Sequence, residues 1–94
     1  MLANVQIFKN GLSCNNCFHI SVKDHQLTMG YIGGAIKSDF IIPFTEMDNL
    51  ALIHWHGSQQ ITFSYQDLSF EFIENGFGEI NYLKNILFQN SMIK

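Results

Sequence analysis

The sequence predicts a mainly β domain in which about seven antiparallel strands are followed by one C-terminal helix. Three observations predict it. Apolar residues recur at every second position through most of the chain, turn-forming residues separate these runs, and the period becomes helical after Asn75-Gly76. The 94 residues suffice for one small domain spanning 1–94, and no linker, repeat or low-complexity run divides it.

The first half of the chain contains four predicted strands. Asn10-Gly11 ends the first, Asp24-His25 forms a tight turn between the second and third, and Pro43 limits the fourth to a sheet edge or to the end of its strand. The segment 32–38, which contains two consecutive glycines, is expected to be a loop. The four runs are residues 4–9, 18–23, 26–31 and 39–44.

The second half predicts an antiparallel meander of three strands and then the helix. The strand runs, at residues 50–56, 59–66 and 68–74, are separated by Gly57 and by a bend at Asp67. Beyond them the apolar residues follow helical spacing, and they are Ile80, Leu83, Ile86 and Leu87. This amphipathic helix is expected to pack its apolar side against the sheet.

The composition predicts association with another chain. Charged residues make up only 14% of the sequence, whereas hydrophobic residues make up 47%. Because a small domain has a high surface-to-volume ratio, so few charges indicate that part of the exterior is apolar and covered by a partner. We therefore expect a homo-oligomer.

The same composition argues against several other partners and locations. The net charge is −3, and the five basic residues are scattered lysines. Nucleic acids and anionic lipids are bound through clusters of Lys and Arg, so neither is expected to bind here. No apolar run approaches the roughly 20 residues of a membrane span, so no membrane insertion is expected. The first 11 residues lack the pattern of a secretory signal, which predicts a cytoplasmic protein.

The stretch IIPFTEMDNLAL combines an Ile-Pro-aromatic step and an acidic residue with apolar positions at Met47, Leu50 and Leu52, and the stretch ITFSYQDLSFEF precedes the closing helix. The first stretch resembles the fourth-to-fifth strand passage, and the second the last hairpin, of pleckstrin-homology-like domains, in particular bacterial PH and GRAM-like domains. The resemblance covers roughly the whole chain. It implies a partly open barrel of two near-orthogonal sheets, with the helix capping one open end.

The resemblance also implies a binding role rather than catalysis. Family members that bind phosphoinositides carry Lys and Arg around the first two hairpins, whereas residues 8–26 contain two lysines and no arginine. Phosphoinositide binding is therefore not expected. Protein recognition, including self-association, is the function that remains.

The run LIHWHG contains the residues on which the functional prediction depends. Residues two apart on a strand share a face, so leucines and histidines occupy one face of this run and large apolar residues the other. The first set is Leu52, His54 and His56, together with Leu50 two residues before the run, and the second is Ile53 and Trp55.

If the leucines point into the barrel, Ile53 and Trp55 lie outside and form the predicted protein interface. Asp48 and Asn49 would then lie in a loop at its rim. In the alternative, the parity is reversed, Trp55 belongs to the core and the histidines lie on a solvated face.

A second functional hypothesis is a small metal-dependent enzyme or a metal-binding domain. His54 and His56 could hold one ion, but such a site needs at least a third protein ligand. The candidates include Cys14 and Cys17, which are expected to be free thiols in an asparagine-rich turn and could alternatively bind metal or form a disulfide. No catalytic residue or cofactor is predicted. A third hypothesis is an apolar ligand in the open end of the barrel, which needs a concave apolar pocket with a few polar groups.

Overall fold

A computed structural model describes the backbone of residues 1–92 and the side chains of residues 1–54 and 56–88. It contains seven strands, a 3₁₀ helix at Phe44–Glu46 and one α-helix. The strands are β1 (Leu2–Lys9), β2 (Leu12–Lys23), β3 (Gln26–Gly34), β4 (Phe40–Pro43), β5 (Asp48–Trp55), β6 (Ser58–Tyr65) and β7 (Leu68–Ile73), and the helix is α1 (Glu79–Met92). The predicted fold class, mainly β with a C-terminal helix, is confirmed.

The strands form a single antiparallel sheet in the order β4-β3-β2-β1-β7-β6-β5, curled into a half-barrel. β1 lies at its centre and pairs with both β2 and β7, so the first four strands and the last three form one continuous sheet. β4 and β5 are the two edges of this sheet. The fourth run is therefore an edge strand, as Pro43 predicts.

The core lies between the concave face of the sheet and α1. Alternate residues of the strands point into it, among them Val5, Ile20 and Ile61, and all three are almost fully buried. Helix α1 contacts β6, β7 and the 3₁₀ helix, and it buries Leu83 and Leu87. The predicted amphipathic packing of the helix is thus confirmed.

An aromatic chain spans the interior of the half-barrel. The Phe40 and Phe70 rings meet edge to face with centroids 5.3 Å apart, which joins β4 to β7. Phe70 then stacks on Phe63 of β6 at 5.1 Å, and Phe40 contacts Phe18 of β2 at 5.9 Å. These contacts connect β2 and β4, on one side of β1, with β7 and β6, on the other side, and they stabilise the curvature of the sheet.

Several strands extend beyond the predicted runs because their backbone groups find partners across the sheet. β2 begins at Leu12 rather than at residue 18, since it pairs with β1 from Lys9 to Leu2. β3 continues through Gly34, which pairs with Asn16 of β2. The glycine-rich segment predicted as a loop is therefore partly strand, and the connection to β4 is shortened to residues 35–39.

Candidate functional site

Strand β5 presents the predicted interface residue Ile53 on its outer face. Leu50 and Leu52 are half-buried and pack against the core, whereas Ile53 is 40% exposed and pairs with Gln60 of β6. The leucines therefore point inward and Ile53 outward, as the first of the two alternatives predicts. The backbone of Trp55 pairs with Ser58, but its side chain lies outside the described part of the chain.

Asp48 and Asn49 belong to β5 itself, so their predicted position in a loop is wrong. Asn49 has a φ of 57°, and the pairing with β6 shifts register between Asp48 and Ala51. This is a β-bulge, which adds an unpaired residue and twists a strand. Asp48 pairs with Ser64 and Ile53 with Gln60, so about 13 Å of strand separates the two interface candidates.

His54 and His56 do not share a strand face, so that prediction is wrong. β5 ends at Trp55, and His56 has a φ of 49° in the turn to β6, where Gly57 has a φ of 77°. Two positive φ values favour the tight two-residue hairpin that matches the strand twist. Within the described part of the chain, no three His, Cys, Asp or Glu side chains are grouped to hold a metal ion.

Cys14 and Cys17 lie within β2, not in a turn, and both are half-buried free thiols. Cys14 pairs with Ile7 and Cys17 with Asn4. Three residues of strand place their Cα atoms about 10 Å apart, and their side chains point to opposite faces. A disulfide requires Cα atoms within about 7 Å, so this strand allows neither that bond nor a shared metal ion.

A cleft of about 510 Å³ lies between the start of β1 and the turn that precedes α1. Leu2, which is 56% exposed, and Phe77, which is 88% exposed, line it. An adjoining hollow of about 470 Å³ shares Asn4, Cys17 and Asn75 with it and reaches the glycines at the end of β3. The sequence prediction missed this cleft. Its one local signal is Phe77, a large aromatic residue between two turn glycines.

Asn16 holds the 35–39 loop beside this hollow. The Asn16 side chain is buried, its Nδ2 donates to the carbonyl oxygen of Ile36 at 2.7 Å, and its Oδ1 accepts from the Ile36 N–H at 3.2 Å. The Tyr31 hydroxyl also donates to the carbonyl oxygen of Gly34 at 2.8 Å. The wall of the hollow is therefore fixed by hydrogen bonds.

Two glutamates organise the turn that carries Phe77. The Glu74 carboxylate accepts hydrogen bonds from the N–H groups of Gly76 (2.6 Å), Gly78 (3.1 Å) and Ile80 (3.1 Å). The buried Glu79 carboxylate accepts from the Phe77 N–H at 3.0 Å. At the helix N-terminus the Ile80 N–H is thus occupied by the Glu74 carboxylate, and the negative charge of the two carboxylates disfavours a ligand anion there.

The same bonds lower the pKa of Glu74 from its ordinary value of 4.5 to about 2, with the Ile80 N–H as the largest cause. A lowered pKa contributes stability that is fully present above pH 4.5 and is lost as the pH falls towards 2. We expect the free energy of unfolding of the wild-type protein to fall towards that of Glu74→Gln over this interval. Urea unfolding at a series of pH values measures it.

Glu46→Gln is the control for this pH effect, because Glu46 is an exposed carboxylate in the 3₁₀ helix. The free energy of unfolding of Glu46→Gln should differ from that of the wild type by a constant amount across the same pH interval. If the free energy of unfolding of Glu74→Gln also differed from that of the wild type by a constant amount, the assigned role of Glu74 would be contradicted.

Comparison with known protein families, with curated proteins and with solved structures found no match to this chain. No helix among residues 1–92 is long and apolar enough to cross a membrane. The functional proposal therefore depends on the geometry of the chain itself.

Proposed function

We propose that the chain is a PH-like, non-catalytic binding and assembly module of the bacterial cytoplasm that associates with itself through strand β5. The observation that carries the proposal is the open edge formed by β5, which within residues 1–92 pairs with β6 alone and exposes Ile53 beside that edge. The curled antiparallel sheet and the single C-terminal helix support the PH-like assignment.

The edge of β5 lacks most of the features that normally prevent strands from pairing between molecules. Proteins protect such edges with lysine, proline, bulges or short strand length. β5 has eight residues and a bulge at Asn49, but residues 50–55 contain no Lys, Asp, Glu or Pro. The other edge, β4, has only four residues and ends at Pro43. β5 is therefore the better edge for adding a strand.

A second copy of the same chain is the partner that fits this edge. Two β5 strands can pair antiparallel about a two-fold axis, because each then offers the same backbone groups to the other. Such pairing would continue the sheet across the dimer and bring the two Ile53 side chains onto one shared outer face. The low proportion of charged residues, 14%, favours burial of this surface.

The test is the molar mass in solution, measured by light scattering over a concentration series for the wild type and for Ile53→Lys. We expect a dimer for the wild type. The substitution should raise the dissociation constant at least about tenfold, because it places two like charges on the one outer face that the dimer shares, and tenfold corresponds to about 1.4 kcal/mol.

Ile32→Lys is the matched control. Ile32 is 56% exposed on β3, which lies near the opposite end of the strand order from β5, so the same charge there should leave the dimer intact. A wild-type monomer at every concentration would overturn the proposal. Equal weakening by both substitutions would show that added charge, rather than the β5 edge, controls association.

A further inference from the structure

We propose that the cleft between β1 and the 75–78 turn binds a small uncharged amphiphile, with an apolar body and one hydrogen-bonding group. Its volume of about 510 Å³ lies within the range of small-molecule sites, about 300 to 1,000 Å³. The cleft is lined from β1, β2 and the turn before α1, whereas self-association is assigned to the β5 edge. The two proposals are therefore independent.

The apolar part of the site is formed by residues that the fold leaves exposed. Phe77 and Leu2 are 88% and 56% exposed, and both line this one cleft. Exposed apolar residues scattered singly need no explanation, but a group of them around a concavity indicates a binding surface. Covering them removes apolar surface from water, which favours binding.

The turn that carries Phe77 is held in place before any ligand arrives. The Phe77 N–H donates to Glu79, and the flanking Gly76 and Gly78 donate to Glu74. Gly76 has a φ of 95° and Gly78 a φ of 78°, conformations that glycine adopts without strain. A site built on such a turn loses less conformational entropy on binding, because its backbone is already ordered.

The polar groups of the cleft specify the class of ligand. The exposed side-chain amides of Asn4 and Asn75 have no hydrogen-bond partner among residues 1–54 and 56–88, and they can both donate and accept. Among the residues whose side chains the structure describes, no Lys or Arg lines the cleft, and the acidic side chain that lines it, Glu79, lies beside the ionised Glu74. The amino group of Met1 is bound by the carbonyl oxygen of Ile20 at 3.2 Å. These groups favour a neutral ligand over a carboxylate or phosphate.

The first test uses the neutral fluorescent probe N-phenyl-1-naphthylamine. We expect saturable binding of one probe per chain, weakened at least tenfold by Phe77→Ser, which removes an apolar wall. Asn4→Trp should weaken it similarly, because Asn4 is exposed on β1 and a larger side chain there fills the cleft without entering the core. Urea unfolding confirms that each variant is folded.

Leu12→Ser is the matched control, since Leu12 is 74% exposed at the far end of the hairpin formed by β1 and β2. It should bind the probe as the wild type does. The anionic probe 1-anilinonaphthalene-8-sulfonate should bind more weakly than the neutral one. Binding that does not saturate, or that Leu12→Ser weakens as much as Phe77→Ser, would overturn the proposal.

The two cysteines supply a second readout within one molecule. Cys17 lines the cleft, whereas Cys14 does not and points to the other face of β2. A saturating amount of the neutral probe should slow the reaction of Cys17 with N-ethylmaleimide and leave Cys14 unaffected, as measured by peptide mass spectrometry. Equal rates at Cys17 with and without probe would contradict the site. Ile53→Lys should still bind the probe, which separates this proposal from self-association.

Discussion

Replacing Phe70 with alanine should lower the free energy of unfolding by about 3 to 5 kcal/mol, the largest effect we expect from a single substitution. Phe70 is 1% exposed and lies at the centre of the aromatic chain, edge to face with Phe40 and stacked on Phe63. Its removal leaves a cavity and breaks the contact between β4 and β7. A domain of this size has a total stability of about 5 to 14 kcal/mol, so the variant should unfold at a much lower urea concentration.

Phe77→Ala is the control for the size of this effect. The same atoms are deleted, but Phe77 is 88% exposed, so we expect a change within about 0.5 kcal/mol. A loss below about 1 kcal/mol for Phe70→Ala would show that the aromatic chain does not pack the interior.

The fold class follows from the sequence because its signals are local. The two-residue alternation marks each strand, and the turn pairs Asn10-Gly11 and Asp24-His25 adopt the positive φ values that tight hairpins require. The ends of the strands do not follow from local signals. The start of β2 at Leu12 is decided by its pairing with Lys9. The asparagines and cysteines between Leu12 and the predicted start at residue 18 do not indicate a strand.

The two candidate sites differ in the same respect, because one rests on a local pattern and the other on contacts between distant segments. The placement of Ile53 on the face opposite Leu50 and Leu52 follows from parity within one strand, whereas the choice of the leucine face as the inner one is made by packing against the core. The cleft combines Leu2, Cys17 and Phe77, which are far apart in sequence and meet only because β1 pairs with both β2 and β7. Pairing between distant segments is not encoded in any short pattern, so the sequence alone did not predict this site.

Gly34→Ala should be the second most damaging substitution, because the backbone there leaves no room for a Cβ atom. Gly34 has a φ of 121°, and an added Cβ would lie 2.5 Å from the carbonyl oxygen of Asn15 and 2.6 Å from the Cα and Oδ1 of Asn16. Strain at such a φ costs about 1 to 3 kcal/mol. Displacing Asn16 would also disturb its two hydrogen bonds to Ile36, each contributing about 1 kcal/mol.

We therefore expect Gly34→Ala to lower the free energy of unfolding by about 3 kcal/mol and to loosen the 35–39 loop, seen as faster amide hydrogen exchange at Ile36. Gly33→Ala is the matched control one residue earlier in β3, where an added Cβ meets nothing within 4 Å. It should remain close to the wild type in both measurements. If the two variants were equally stable, the close approach of β3 to Asn15 and Asn16 would not be a constraint on this fold, and Asn16 would hold the loop without help from the glycine.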